Sequence, residues 1–169
     1  MQTTQPLILT LSLDKKSADY FNERRQKHFP PERNYLQAHL TLFHHLPPAE
    51  PLIYETLERI SKSQPPFCLQ VVSVVSIGKG VAYKIDCPPL VAFHKQLQQA
   101  WQDWLIPQDR QRLWPHITVQ NKVAPEAAKT TLSQLQKDFI PFDTHGQQLS
   151  LWRYEGGPWR FLQAFPLFL

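Results

Sequence analysis

Cysteine is scarce in this chain of 169 residues, and the two that occur, Cys68 and Cys87, are too few for a disulfide framework. This scarcity favours a reducing compartment, and we expect a cytoplasmic protein. No apolar run approaches the roughly 20 residues of a membrane-spanning helix, so we expect no membrane partner. The first six residues contain no Lys or Arg, and we therefore expect no secretory signal there.

Charge is also modest. Charged residues make up 19% of the chain and the formal net charge is +4, a slight tilt towards anionic partners that identifies none of them. The hydrophobic share of 42%, with five Trp and ten Phe, is ordinary for a globular protein and sufficient for a sizeable core. The length suits one domain or two small lobes that share a core. We expect a single domain over residues 1–169 and a monomer.

The order of predicted elements alternates strands with helices. Apolar and β-branched runs predict strands at 7–13, 40–46, 67–77, 81–86, 117–123, 147–154 and 159–167. Capping residues and 3.6-residue periodicity predict helices at 14–28, from Pro51, over 88–104 and over 125–139. Short turns containing Gly78 and Gly80, and Gly156 and Gly157, predict two β-hairpins.

A weak internal repeat runs through this order. His39 lies nine residues before Pro48, and His116 lies nine residues before Pro125. Each half reads strand, helix, strand, proline-led helix, strand, as a duplicated unit over residues 7–77 and 80–167 would. Coincidence between two similar supersecondary units is the alternative.

The repeat contains two matched motifs, His39-Leu-Thr41-Leu and His116-Ile-Thr118-Val. Side chains alternate along a strand, so each histidine shares a face with its threonine while the apolar residues face the core. A buried core histidine is the simpler interpretation of either motif alone. The matched pair favours a site at which two imidazoles and two hydroxyl groups meet.

Such a set suits phosphate-ester chemistry. One group must take a proton from the attacking oxygen and another must protonate the leaving oxygen, and histidine can do either near neutral pH. Threonine hydroxyl groups can donate hydrogen bonds to the phosphate oxygens, where negative charge is held in the transition state. The hypothesis from the residues is therefore acid–base catalysis by His39 and His116, assisted by Thr41 and Thr118, without metal or cofactor.

The paired H-Φ-[ST]-Φ motifs, where Φ is apolar, resemble those of the two-histidine (2H) phosphoesterase superfamily, which includes 2′-5′ RNA ligase-like proteins and cyclic nucleotide phosphodiesterases. Phe43, Pro115 and the closing Trp-Arg-Tyr…Trp-Arg-Phe-Leu segment extend the resemblance. It implies an α+β fold with two pseudo-symmetric lobes, each an antiparallel sheet with outer helices, and an active cleft between them. The implied activity is metal-independent opening of 2′,3′-cyclic phosphates on RNA ends or small nucleotides. The alternatives are 2′-5′ RNA ligation, the reverse reaction, and a non-catalytic RNA- or nucleotide-binding module.

Further residues near the motifs are candidates for substrate binding. Arg112 and Lys122 bracket the second motif, and one such cation would bind phosphate. Phe43 and Trp152 could stack on a nucleobase, with Phe43 favoured because strict alternation puts it on the face of His39. The same alternation predicts that His45, and not His44, shares this face; neither residue has the partners of a metal site. Other candidates are weaker, namely Arg33, Arg110, Trp114 and Tyr154.

Overall fold

The computed structural model describes residues 4–168. Its strands are β1 (Leu7–Leu13), β2 (Leu40–Leu46), β3 (Phe67–Ser76), β4 (Val81–Asp86), β5 (His116–Gln120), β6 (Phe142–Tyr154) and β7 (Trp159–Pro166). Its α-helices are α1 (Lys15–His28), α2 (Pro51–Ser61), α3 (Pro88–Ala100) and α4 (Pro125–Lys137). Short 3₁₀ turns cover Pro31–Arg33 and Pro107–Arg110.

The helix starts follow from the residues at their N-termini. Asp14 caps α1, where its carboxylate accepts hydrogen bonds from the Ser17 backbone N–H at 3.2 Å and the Ser17 hydroxyl at 2.6 Å. The other three helices begin at Pro51, Pro88 and Pro125. Proline suits this position because its φ is already helical and its missing N–H would have had no partner within the helix.

All strand pairs are antiparallel and form one sheet in the order β2-β1-β6-β3-β4-β5. β7 pairs with the second half of β6. The path reads the same from either end when β1, β2 and β3 are exchanged for β4, β5 and β6. The predicted α+β class with pseudo-symmetric halves is confirmed. This symmetric order also supports the predicted boundary of the repeat between residues 77 and 80, which stays a prediction.

The sheet curls, and this curling creates the site. β2 and β5 stand at opposite ends of the strand order, yet they approach each other, and α1 from the first half packs against β5 from the second. The strands that carry the two motifs thus face one another. Leucine, isoleucine, valine and aromatic side chains fill the core behind them, including the fully buried Phe21, Tyr83 and Trp101.

Three element boundaries differ from the sequence prediction by three or more residues. β6 begins at Phe142, well before residue 147, because its first half pairs with β3 and its second half with β1. β5 ends at Gln120, two residues before Lys122, whose φ of 60° is incompatible with an extended strand. α3 ends at Ala100, although its apolar stripe continues to Trp104 in the following turn. Within residues 4–168, no helix is long and apolar enough to cross a membrane.

Candidate active site

A cleft of about 710 Å³ lies between β2 and β5 and contains His39, Thr41, His116 and Thr118. We call it the histidine cleft. The two motifs thus meet at one place, as the alternation of side chains along each strand predicts. The apolar partners of the motifs, Leu40, Leu42, Ile117 and Val119, are buried on the opposite side and anchor both strands in the core.

The two imidazoles are held in the same way. Nδ1 of His39 lies 2.8 Å from the carbonyl oxygen of Gln37, and Nδ1 of His116 lies 2.8 Å from the carbonyl oxygen of Trp114. A carbonyl oxygen can only accept, so Nδ1 must carry the proton in both rings. In each ring Nε2 is consequently the atom that can gain or lose a proton.

The surroundings favour neutral imidazoles in the unliganded protein. The pKa of His39 is lowered to about 4, chiefly by burial; its carbonyl partner opposes this shift, and the charges of Arg25, His116 and His44 add to it. Burial also lowers the pKa of His116, and the charge of His44 adds to that effect. A bound phosphate, being negative, would act in the opposite direction and stabilise a protonated imidazole.

The threonines stand beside the histidines with their hydroxyl groups available. Thr41 and Thr118 line the cleft two residues after each histidine and are partly buried. Within residues 4–168, no hydrogen bond joins either hydroxyl group to another protein group, whereas the buried Thr131 hydroxyl donates to Ala127. A ligand in the cleft would therefore find both hydroxyl groups free to donate.

β2 does not follow the strict alternation that the sequence suggests. Thr41 is opposite Thr10 of β1 but Phe43 is opposite Leu9, so one extra residue lies between Thr41 and Phe43. A second shift follows before Leu46. These irregularities are β-bulges, which change the face that the following side chains occupy.

The bulges overturn two predictions. Phe43 is fully buried, stacking on His94 with ring centroids 4.5 Å apart, and so cannot stack on a nucleobase. The prediction that His45 shares the face of His39 is also wrong, because His44 lines the cleft instead. Alternation counted along the strand fails here because each bulge adds one residue that strict pairing does not contain.

The sequence interpretation missed one cation of the cleft, Arg25 of α1. Its side chain is 4% exposed and lines the cleft; Nε donates to the Asn34 side chain at 3.1 Å, and Nη1 donates to the Thr118 carbonyl at 2.9 Å. Burial lowers its pKa to about 10, so it stays charged at neutral pH. A signal was present, since Arg25 continues the buried stripe of Ser17 and Phe21 at a spacing of four.

The other predicted binding residues divide into two groups. Lys122 and Arg33 line the cleft. Arg112 is exposed outside it, which contradicts the predicted contact. Trp152 lies behind it: its indole N–H donates to the Thr10 hydroxyl at 3.0 Å, and its ring packs against Trp159. Trp159 lines the cleft beside His39 at 5.2 Å between centroids, so it would be the ligand-facing residue of this pair.

The charged side chains that line the cleft are basic. Its lining includes Arg25, Arg33 and Lys122 as well as three histidines, and none of the described residues that line it is Asp or Glu. Within residues 4–168 there is also no group of three or more His, Cys, Asp or Glu side chains arranged to hold a metal ion. A cleft with this lining attracts anions.

Comparison with known proteins agrees with the motifs and the fold. The family model of the 2′-5′ RNA ligase superfamily matches residues 13–158. Comparison with curated protein sequences gives no match. Among solved structures, TT0787 of Thermus thermophilus is 19% identical with a TM-score of 0.68, covering 96% of this chain and 97% of that one.

E. coli LigT complexed with 3′-AMP is 20% identical with a TM-score of 0.59, covering 99% of this chain and 100% of that one. A structure described as a phosphoesterase is 19% identical with a TM-score of 0.62, covering 98% and 99%. At these identities the structural likeness establishes the fold alone. The family model covers most of the chain, and the resemblance seen in the paired motifs is confirmed. This chain belongs to the 2′-5′ RNA ligase superfamily.

Proposed function

We propose that this protein opens 2′,3′-cyclic phosphates, on RNA ends or small nucleotides, by general acid–base catalysis that requires no metal ion. One observation carries the proposal. Two imidazoles in a cationic cleft each bind a backbone carbonyl through Nδ1 at 2.8 Å, which makes Nε2 the proton-exchanging atom of both. In-line displacement at phosphorus needs one proton acceptor and one proton donor, and this pair supplies both.

The proposed reaction proceeds as follows. Nε2 of His39 takes a proton from a water molecule, whose oxygen attacks phosphorus. The bond from phosphorus to one ribose oxygen breaks, and Nε2 of His116 donates a proton to that oxygen. We assign the base role to His39 because its pKa is lowered to about 4, which makes it the neutral partner. His116 is protonated once the anionic substrate has entered.

The remaining groups act on the phosphate. Thr41 and Thr118 donate hydrogen bonds to its non-bridging oxygens, which carry more charge in the transition state. Arg25 is anchored by two hydrogen bonds at fixed positions and contributes a positive charge near His39 that needs no reorganisation during the reaction. The nucleotide complexes of E. coli LigT, with 3′-AMP and with ATP, support a nucleotide as the ligand class.

Ligation to a 2′-5′ bond is the second candidate, because it is the same reaction run in reverse with a 5′-hydroxyl group as the nucleophile. The family model that matches this chain is named for this activity. A binding module without catalysis is less favoured, since binding alone does not need two imidazoles that both expose Nε2 in one cleft.

Turnover of nucleoside 2′,3′-cyclic phosphates in EDTA, followed by phosphorus-31 NMR, tests the proposal. We expect the cyclic phosphate signal to be replaced by that of one monoester, and we expect His39→Ala and His116→Ala each to slow the conversion by about 10²- to 10⁴-fold. His145→Ala is a suitable control because this exposed histidine lies outside the cleft. Binding of the cyclic phosphate without conversion would favour the non-catalytic alternative, and activity restored only by added zinc or manganese would disprove metal independence.

A further inference from the structure

A third imidazole, that of His44, lines the histidine cleft, and it is held differently from the other two. Its Nδ1 lies 3.2 Å from Oδ1 of Asp109, a carboxylate whose side chain is 1% exposed. The His44 side chain itself is 46% exposed. Two imidazoles of the cleft are thus backed by neutral carbonyl groups and the third by a buried carboxylate. With Nδ1–H directed at the carboxylate, Nε2 remains as the atom available to a ligand, and in the doubly protonated ring it donates a hydrogen bond to an anion.

Asp109 fixes this part of β2 firmly. Its two carboxylate oxygens accept the backbone N–H groups of His44 and His45, each at 2.9 Å. Burial raises the pKa of Asp109, but the hydrogen bonds from the His44 ring and from both backbone N–H groups outweigh that effect and hold it below its ordinary value. The carboxylate is therefore ionised at neutral pH, and it orients the His44 ring.

His44 also lies at a defined distance along the cleft from the two motifs. Thr41 pairs with Thr10 of β1, and Phe43 pairs with Leu9, so His44 comes next, near the level of Ile8. Two residues of an extended strand span about 7 Å. The backbone of His44 is accordingly about 7 Å farther along β2 than that of Thr41. The charge of His44 nevertheless lowers the pKa of both His39 and His116.

We propose that His44 binds a second phosphate group of the substrate, next to the one that reacts, and that Asp109 is the positioning residue that orients it. The inference rests on the proposed function and narrows its substrate class. A nucleotide with a 2′,3′-cyclic phosphate and a further phosphate, such as an oligonucleotide end or a 5′-phosphorylated nucleotide, is preferred to a cyclic nucleotide with one phosphate. None of the described residues that line the cleft is Asp or Glu, and the Asp109 carboxylate that holds the His44 ring is buried and does not line the cleft.

Two substrates that differ by one group test this preference. Adenosine 2′,3′-cyclic phosphate and its 5′-phosphorylated form have the same reacting group, and only the second has another phosphate. For the unaltered protein we expect kcat/KM to be about tenfold higher with the 5′-phosphorylated substrate, because a hydrogen bond to a charged group is of that strength. The difference should lie in KM, since the second phosphate does not change charge during the reaction.

His44→Ala should remove the preference, leaving kcat/KM for the two substrates within about twofold of each other. His45→Ala is the matched control: it is the neighbouring residue, its backbone N–H binds the same carboxylate, and its side chain is outside the cleft. It should keep the preference. Retention of the full preference by His44→Ala would overturn the proposal, and so would an equal loss with both substrates, which would place His44 at the reacting phosphate.

Binding of products separates this proposal from the proposed reaction. Calorimetry with adenosine 3′-phosphate and adenosine 3′,5′-bisphosphate needs no turnover. The unaltered protein and His45→Ala should bind the bisphosphate about tenfold more tightly, and His44→Ala should bind both ligands alike. Asp109→Asn should also weaken binding of the bisphosphate, as His44→Ala does, provided that circular dichroism shows it to be folded. If Asp109→Asn does not fold, His44→Ala alone provides the test. Equal affinities for the two ligands in the unaltered protein would disprove the second-phosphate site even if the cyclic phosphodiesterase reaction is observed.

Discussion

At both motifs, carried by β2 and β5, the histidine donates Nδ1–H to the carbonyl group two residues before it, and a threonine follows two residues after it. The strands differ in what surrounds this shared unit. β2 contains two bulges, presents His44 to the cleft and is bound by Asp109, whereas β5 pairs more regularly with β4, with one shift at its end. His116 stacks on the exposed Trp114 at 4.3 Å between centroids.

The pKa values of His39 and His116 are lowered to different extents because of elements that lie outside the two motifs. Arg25 of α1 donates to a carbonyl group of β5, yet its charge lowers the pKa of His39 and is not among the causes of the shift at His116. The motif determines which atom of each ring exchanges protons. The surrounding helices and loops determine how readily each ring becomes charged, and thus make two similar histidines unequal.

The largest expected effect comes from removing the histidine that both motifs contain. His39→Ala and His116→Ala should each lower turnover by about 10²- to 10⁴-fold, because each removes one proton-transfer partner. The double variant should lose less than the product of the two losses, since residues that act as one unit are not additive. Steady-state kinetics on a cyclic nucleotide measures all three. Fully multiplicative losses would indicate that the histidines act independently.

The threonines should follow with a smaller loss. Thr41→Val and Thr118→Val keep the β-branched shape but delete the hydroxyl donor, and each should cost about 2–4 kcal/mol of transition-state stabilisation. The melting temperature should stay nearly constant, because neither hydroxyl group has a hydrogen-bond partner among residues 4–168 that would be left unpaired. If both variants turn over normally and melt several degrees lower, the threonines are structural and the symmetry of the motifs has no catalytic meaning.

Arg25→Gln should reduce the inequality between the two histidines. Loss of its positive charge should raise the pKa of His39 in the unliganded protein and leave that of His116 unchanged, as read by NMR titration of the two rings. KM for a cyclic nucleotide should rise by about tenfold. Arg24→Gln is the matched control, since this neighbouring guanidinium donates to Tyr83. Parallel shifts of both histidines in Arg25→Gln would contradict the assigned asymmetry.

The smallest effect concerns stability against pH. The folded state lowers the pKa of His39 from 6.5 to about 4, so between these values the unfolded chain binds more protons and stability should rise with pH. His39→Gln should flatten the dependence of melting temperature on pH between 4 and 6.5 more than His116→Gln does. The buried His94, whose pKa is also lowered, contributes a common background to both. An equal flattening in the two variants would mean that the rings are electrostatically equivalent.

The contrast between β2 and β5 also shows how far sequence patterns can be followed. The prediction of helices and strands succeeded where a local rule applies, such as the Asp14 cap, the proline-led helices and the hairpin turns. It placed both His-x-Thr motifs on strands with their apolar residues inward. It failed at Phe43 and His44, because alternation cannot reveal a bulge that is stabilised by Asp109 and His94 from distant parts of the chain.

Arg112 and Arg25 show the same limit for charges. Arg112 is near His116 in sequence but outside the cleft, whereas Arg25 precedes His39 by 14 positions and lies inside it. By itself, the sequence determined the family, the antiparallel α+β class and the two proton-carrying motifs, because these depend on residue types at short spacings. Only the tertiary structure decided which cations reach the cleft and how unequal the histidines are. These properties depend on how the sheet curls and where α1 packs, and so on contacts between residues far apart in the chain.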